Sequence, residues 1–186
     1  HSTDSGVAHF RCRDEKETYN HVRKLLSLVP HYYGDNQAKK YDYRALENEQ
    51  KMLDLLPEKS NRTYDMKNII NALLDKGSFL EIQEQFAKNA IVGLGTLSGI
   101  NVGIVANQPY HMAGVIDIDA SDKIARFVRY CDAFEIPLVT LTDVPGFMPG
   151  LQQETRGIIR HGSKVLYAYS ESTVPKVNVI IRKAYG

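Results

Sequence analysis

Apolar residues repeat with a period of two in some stretches and near 3.6 in others, and the order of these stretches sketches the fold. The pattern is most regular over residues 63–186. Asp65 can cap a helix whose apolar face is Met66, Ile69, Ile70, Leu73 and Leu74, closed by Gly77. Residues 79–82 read as a short strand. Residues 91–97 and 100–106 read as two strands joined at Ser98-Gly99, a hairpin signal. Next come a helix over 122–134, with Asp119 or Ser121 as its cap, and a strand over 138–142. A glycine- and proline-rich loop covers 144–151, a helix 155–172 and a strand 177–181. Strand, helix, strand, helix, strand implies an α/β fold with parallel strands and helical crossovers.

Residues 1–62 differ. They are charged and rich in tyrosine, with one clear helix: Asp14 caps it, Glu17 takes the capping-box position, and Val22, Leu25, Leu26 and Val29 form its stripe before Pro30. Residues 31–40 read as loop and 41–56 as a short amphipathic segment ended by Pro57. This stretch reads as a connector lying on a neighbouring surface, without a core of its own.

Composition adds bounds. The length of 186 residues suffices for one domain with a sizeable core, or for one domain and an appendage. A charged fraction of 24% beside 43% hydrophobic residues is that of an ordinary soluble globular protein. The net charge of +1 argues against a nucleic-acid surface, while leaving room for a local basic patch. Two cysteines are too few for a disulfide framework, and Cys131 falls on an apolar helix face as a buried free thiol. No apolar run reaches transmembrane length and residues 1–20 are not signal-like, so a reducing compartment is expected: bacterial cytoplasm, or the mitochondrial matrix in a eukaryote. The chain opens on His1-Ser2-Thr3 and stops at Tyr185-Gly186 just after a strand-like run, which points to a piece of something longer.

Familiar catalytic motifs fail. Gly93-Leu94-Gly95 begins like a dinucleotide fingerprint, but its third glycine is missing and a strand follows it. There is no phosphate-binding loop, and no histidine pair at metal-ligand spacing, so no metal is expected. Gly162-Ser163 lacks the elbow of a serine hydrolase, which leaves His161 and Ser163 as helix residues. Asp117, Asp119 and Asp122 read as a helix start, and Arg126 and Arg129 as partners of Asp132. Tyr167 and Tyr169 read as packing or interface residues.

What remains is glycine, alanine and proline at three strand ends. Asn107, Gln108 and Pro109 lead to Ala113, Gly114 and Val115; Asp143 leads to Pro145, Gly146, Phe147 and Gly150; Ala184 and Tyr185 lead to Gly186. Each alone is a tight turn. Three in succession at equivalent strand ends suggest a ligand site, because ligands of open α/β sheets bind outside the carboxyl ends of the strands. Backbone N–H groups gathered there stabilise an oxyanion without a side-chain acid or base. A thioester enolate is such an oxyanion, and so is the ureido oxygen of a biotin losing its carboxyl group.

At these residues the sequence resembles the carboxyltransferase (beta) subunits of propionyl-CoA carboxylase and their relatives, among them the alpha subunits of biotin-dependent methylmalonyl-CoA decarboxylases. The resemblance runs through residues 5–9, 86–89, 102–109, 125–129, 143–150, 157–162 and 173–186. It implies a crotonase-like (ClpP-like) ββα superhelix, duplicated in two domains and present here in part. Residues 1–10 would be the tail of the N-terminal domain, 11–62 the connector and 63–186 the first part of the C-terminal domain.

The resemblance further implies carboxyl transfer from carboxybiotin to the α-carbon of a short-chain acyl-CoA, with propionyl-CoA the best single guess. Biotin acts as the base and backbone oxyanion holes hold the charge. Ala113, Gly114 and Val115 are candidate oxyanion N–H donors, and Gly186 stands at the edge of the biotin oxyanion loop. Asn107, Gln108, Pro109, Pro145, Gly146, Phe147, Gly150 and Arg156 are expected to line the biotin and acyl-CoA site. Implied partners are other subunits of a homohexamer and a biotin carboxylase or biotin carrier subunit. Lys67 stands in Met66-Lys67-Asn68, not the Met-Lys-Met of a biotinylated carrier, so biotin arrives on another domain. The acyl-CoA site before His1 and the residues after Gly186 complete the family's site, so the piece by itself is expected to be inactive.

Two readings stay open beside this one: a decarboxylase running the transfer in reverse, and a non-catalytic assembly or ligand-binding module. The loop after Gly150 departs from the family pattern. Leu151 stands where a small polar residue is common, and Thr155-Arg156 where an aromatic and a glycine are common. Arg156, near a helix N-terminus, is either solvated or in contact with a substrate carboxylate or a neighbouring subunit.

Overall fold

The computed structural model describes residues 1–35, 49–59 and 62–185. Its helices are α1 (Glu15–Leu28), α2 (Glu49–Asp54), α3 (Met66–Leu73), α4 (Ile118–Ala133), α5 (Leu151–Thr155) and α6 (Ile158–Glu171). Five strands form one sheet in the order β1 (Leu80–Ile82), β2 (Ala90–Leu97), β3 (Ile100–Asn107), β4 (Leu138–Val144) and β5 (Lys176–Ala184). The first three run antiparallel, while β3, β4 and β5 run parallel. A two-residue turn suffices for the antiparallel pair β2–β3, whereas the parallel strands need helical crossovers. Ser98 and Gly99 make that turn with φ of 52° and 80°, and the Asp75 carboxylate accepts both their N–H groups.

Alternation along the strands fills both faces of the sheet. Val92, Leu94, Val105 and Leu138 pack with Ala120, Ile124, Phe127 and Cys131 of α4 and with Ala168 of α6. Ile91, Ile104, Val139 and Leu141 pack on the other face with Met66, Ile69 and Ile70 of α3. The result is three layers with two apolar seams, as expected for an α/β fold. Strand β5 forms one edge and is largely exposed.

The chain before residue 63 lies against this unit. Leu28 of α1 is buried in the first seam, with Leu25 and Val29 packed beside it. Val22 and Leu26, expected in the same stripe, are about half exposed. Asp14 caps α1 by accepting the Glu17 N–H; Glu17 reaches back to the N–H of Arg13, one residue before the cap. In the 41–56 segment α2 is described, and Met52, Leu55 and Leu56 lie along the second seam. Residues 36–48 of the expected loop and amphipathic segment lie outside the described residues.

Two boundaries move. Helix α4 begins at Ile118, four residues before the expected 122, and its cap is Asp117, which accepts the Ala120 N–H at 2.9 Å; Asp119 and Ser121 sit inside the helix. The extra turn forms because Ile118 and Ala120 are buried. The helix expected over 155–172 is two helices, α5 and α6, parted at Gly157 in the left-handed region (φ 85°, ψ 48°). Asp132 accepts the N–H groups of Thr173 and Val174, so it ties the α6–β5 link rather than serving Arg126 or Arg129.

Candidate functional site

Strands β3, β4 and β5 are parallel neighbours, so their carboxyl ends fall side by side. The loops that follow are joined by hydrogen bonds. Ile116 N–H donates to Gly146 O at 3.0 Å and Met148 N–H to Ile116 O at 2.8 Å, forming a short parallel bridge between Ile116 and Phe147. Asn107, at the end of β3, donates from Nδ2 to Gly114 O (3.1 Å) and accepts the Asp143 N–H on Oδ1 (3.2 Å). Tyr185 N–H donates to Val144 O at 3.1 Å. The three strand-end loops therefore form one cluster.

Asp143 anchors this cluster from below. Its carboxylate is 1% exposed and accepts from Tyr64 Oη (2.7 Å), Arg182 Nε (2.9 Å) and the Lys183 N–H (3.2 Å). The Arg182 guanidinium lies over the Tyr64 ring, 4.6 Å from its centre. Burial, and then the Asp143 carboxylate, push the Tyr64 phenol far above the usual tyrosine range, so it stays a donor.

Residues 112–115 form a left-handed turn. Met112, Ala113 and Gly114 have φ of 49°, 54° and 76°. A Cβ at Gly114 would stand 2.8 Å from Asp143 O, so both the conformation and the close approach require glycine. The turn uses two of the three expected oxyanion donors. Gly114 N–H donates to His111 O (2.9 Å) and Val115 N–H to Met112 O (3.1 Å), which corrects the expectation for those two residues. Ala113 is exposed, and its N–H has no acceptor among the described residues.

The other expected residues divide by what their side chains do. Gln108 is 2% exposed; its Oε1 accepts the Met66 N–H and its Nε2 donates to Asp65, so its amide seats α3. Asn107 and Pro109 are buried beneath the turn. Pro145, Gly146 (φ 130°) and Gly150 (φ 123°) shape the loop after β4. Phe147 within it lays its ring on Gly162 of α6, where a Cβ would come within 2.7 Å, and keeps 43% of its surface exposed. A cavity of ≈ 320 Å³ opens beside the loops, between β4, β5 and the helices, walled by Ile116, Ile124, Val144, Val165 and Val177. Gly186 lies outside the described residues.

Arg156 caps the C-terminus of α5 and is exposed. Burial, with Asp117 and Asp122 nearby, raises the Asp119 carboxyl above its ordinary value, and the Arg156 charge works against that rise. On the neighbouring surface His161 and Lys164 of α6 both bond Asp122 of α4, at 2.9 and 2.7 Å. Burial works to raise the Asp122 carboxyl, but these bonds outweigh it and hold the group below the ordinary aspartate value. Among the described residues no three His, Cys, Asp or Glu side chains gather as a metal site.

Sequence reasoning missed Tyr64, Arg182, Asn89 and Lys123. Lys123 gave a signal: it occupies the inward stripe of α4 with Ala120, Ile124 and Phe127, where a charged residue is out of character. Asn89 donates from Nδ2 to Val115 O (2.8 Å) and to Asp117 Oδ1 (3.1 Å), and its own carbonyl accepts the Gln108 N–H (2.9 Å).

A family model described as the carboxyl transferase domain matches residues 1–186. The carboxyltransferase subunit of a propionyl-CoA carboxylase from Haloferax mediterranei is 48% identical over 187 residues, covering 100% of this chain and 36% of that relative. Subunit alpha of a methylmalonyl-CoA decarboxylase from Veillonella parvula is 49% identical over 187 residues, covering 100% of this chain and 37% of its own length. Among solved structures, a transcarboxylase 12S hexamer with hydrolysed methylmalonyl-CoA bound superposes with a TM-score of 0.92 at 44% identity, over 100% of this chain and 37% of that one. The fold is thus α/β and crotonase-like, and the chain spans little more than a third of these relatives.

Proposed function

Because this chain belongs to the carboxyl transferase domain family, we propose that it is part of a subunit that moves a carboxyl group between biotin and the α-carbon of a short-chain acyl-CoA, propionyl-CoA foremost. The observation that carries this reading is the Ala113 N–H. Ala113 is an exposed residue, its N–H has no acceptor among the described residues, and a left-handed turn holds it where three strand-end loops meet. An N–H fixed in this way stabilises developing negative charge on an oxygen without reorganising.

The residues around it fit a biotin ureido group or a thioester carbonyl. Asp143, the carboxylate nearest the cluster, already holds Tyr64 and Arg182, so charge is met by backbone rather than by a side-chain acid or base. Phe147 offers an apolar wall beside the turn. Biotin, when bound on its carrier domain, supplies the transferable carboxyl group and the nitrogen that serves as base. This chain's part is to orient the oxygen that gains charge and to keep acidic side chains away from it. The same contribution serves transfer in either direction, so the proposal covers carboxylase and decarboxylase alike. Partners under this reading are further copies in a homohexamer and the biotin carrier with its carboxylase.

The test uses the full-length subunit. Free biotin should accelerate decarboxylation of methylmalonyl-CoA, followed as propionyl-CoA formed. A hexamer that binds biotin yet shows no biotin-dependent decarboxylation would establish the non-catalytic assembly reading instead.

A further inference from the structure

We propose that Lys123 is a positioning residue for the Ala113 N–H, acting through the 83–90 turn and Asn89; the inference rests on the carboxyltransferase reading above. Lys123 lies on the inner face of α4 and is 2% exposed. Its ammonium lies 2.7 Å from Phe86 O, 2.7 Å from Ala90 O, 3.1 Å from Gln83 O and 3.3 Å from Ala87 O. Among the described residues no carboxylate forms an ion pair with it. Four carbonyls meet three ammonium protons, so the charge is solvated by backbone alone.

Those carbonyls converge because the link between β1 and β2 is bent to make them do so. Gln83 and Ala87, neither of them glycine, have φ of 55° and 43°. Each left-handed residue costs about 1–2 kcal/mol. If position 123 only had to fill space, leucine or methionine would do so without desolvating a charge. What a lysine adds is a fixed orientation for the four carbonyls of 83, 86, 87 and 90.

That segment ends on the Asn89 side chain, which is 3% exposed. Asn89 grips both limbs of the 108–117 loop: the incoming limb through the Gln108 N–H, the outgoing limb through Val115 O and Asp117. The Ala113 turn hangs between these grips. A shift of the 83–90 turn therefore moves the Ala113 N–H without touching any group that meets substrate.

Titration gives this linkage a signature. Burial brings the Lys123 ammonium down to about 8; Glu81 on β1 and Glu84 in the link between β1 and β2 hold it up, while Lys67 of α3 pushes it further down. Asp119, Asp122 and Arg126 of α4 and Asp4 of the N-terminal segment line the adjoining cavity. A neutral amine keeps two protons for four carbonyls, so the turn loosens as Lys123 deprotonates.

The experiment measures biotin-dependent methylmalonyl-CoA decarboxylation in the assembled full-length subunit, from neutral pH to about pH 9.5. Wild-type kcat should fall above about pH 8, and Lys123→Arg, whose guanidinium does not titrate there, should lose that fall. Asn89→Ala should lower kcat by about 10- to 100-fold at neutral pH while KM for methylmalonyl-CoA stays within about twofold. A wild-type kcat flat through this range overturns the proposal without any variant. So does an Asn89→Ala enzyme with wild-type kcat, or one whose loss sits in KM. If Lys123→Arg does not assemble, the wild-type profile and Asn89→Ala decide. No transfer in the wild-type subunit overturns the functional reading and this proposal together; transfer that Asn89→Ala leaves intact overturns the proposal alone.

Discussion

Arg182 Nε lies 2.9 Å from Oδ2 of Asp143, and through this pair the end of β5 is locked to the end of β4. Tyr64, just before α3, shares the same carboxylate oxygen. Three separate parts of the chain thus meet on one buried charge beneath the Ala113 turn. Removing one partner of a buried pair costs more than the pair contributes, because the other charge is left without compensation. Asp143→Ala should therefore destabilise the full-length subunit by about 3–5 kcal/mol. Asp143→Asn should cost less, since an amide oxygen in the place of Oδ2 still accepts from Tyr64 and Arg182. Urea-unfolding midpoints of the two variants check the order; equal midpoints would sink this account.

The layers and strand ends were legible from periodicity, and the details around them were not. The apolar runs 91–97 and 100–106 on either side of Ser98-Gly99 predicted the hairpin because both strands are buried on both faces, and the stripe from Met66 to Leu74 predicted α3 because that helix is buried on one. The early start of α4 was hidden because its first turn is buried by residues far along the chain: Gln153 Oε1 accepts the Ile118 N–H across 35 positions. Asp143 and Tyr64 are 79 positions apart, and no local pattern couples them. The strand-end glycines mark loops that the structure joins into one cluster, but which N–H is left without an acceptor among the described residues depends on how 112–115 turns. That cannot be read from residue types alone.

Gly114 separates geometry from mere flexibility. Gly114→Ala puts a Cβ 2.8 Å from Asp143 O in a left-handed residue, so the Ala113 turn must move. Gly99 in the hairpin turn is also left-handed (φ 80°) but has open space around its Cβ position. Both substitutions carry a conformational cost of about 1–2 kcal/mol. Only Gly114→Ala should reduce biotin-dependent decarboxylation, by about 100-fold, the effect of losing one oxyanion donor. Equal activities in the two variants would show that the turn has no role in transfer.

Arg156 tests substrate choice. It is exposed beside Asp119, in the loop that departs from the family pattern. Its backbone (φ −83°, ψ −2°) suits any residue, so Arg156→Gly costs about 1 kcal/mol or less in stability. If the guanidinium meets the substrate carboxylate that methylmalonyl-CoA has and propionyl-CoA lacks, the ratio of KM for methylmalonyl-CoA over KM for propionyl-CoA should rise by about 5- to 10-fold. An unchanged ratio would leave Arg156 as a solvated side chain.

Lys123 makes a prediction about stability whose sign runs opposite to its effect on turnover. Below about pH 8 it is charged in the folded and the unfolded chain alike. Between about 8 and the ordinary lysine value of 10.5 the unfolded chain keeps the proton while the folded chain releases it. The unfolded state then binds more protons, so the contribution of this residue to stability rises with pH, by at most on the order of 3 kcal/mol across the window. Other groups titrate there too, and subtracting the unfolding free energy of Lys123→Met at each pH isolates this residue. That difference should grow steadily from about pH 8 upward while wild-type kcat falls over the same range. A fall in kcat alongside a growing difference means that activity is not lost because Lys123 stops supporting the fold, as reorientation of the 83–90 turn requires. A difference flat between pH 8 and 10.5 would mean that burial does not desolvate the Lys123 ammonium.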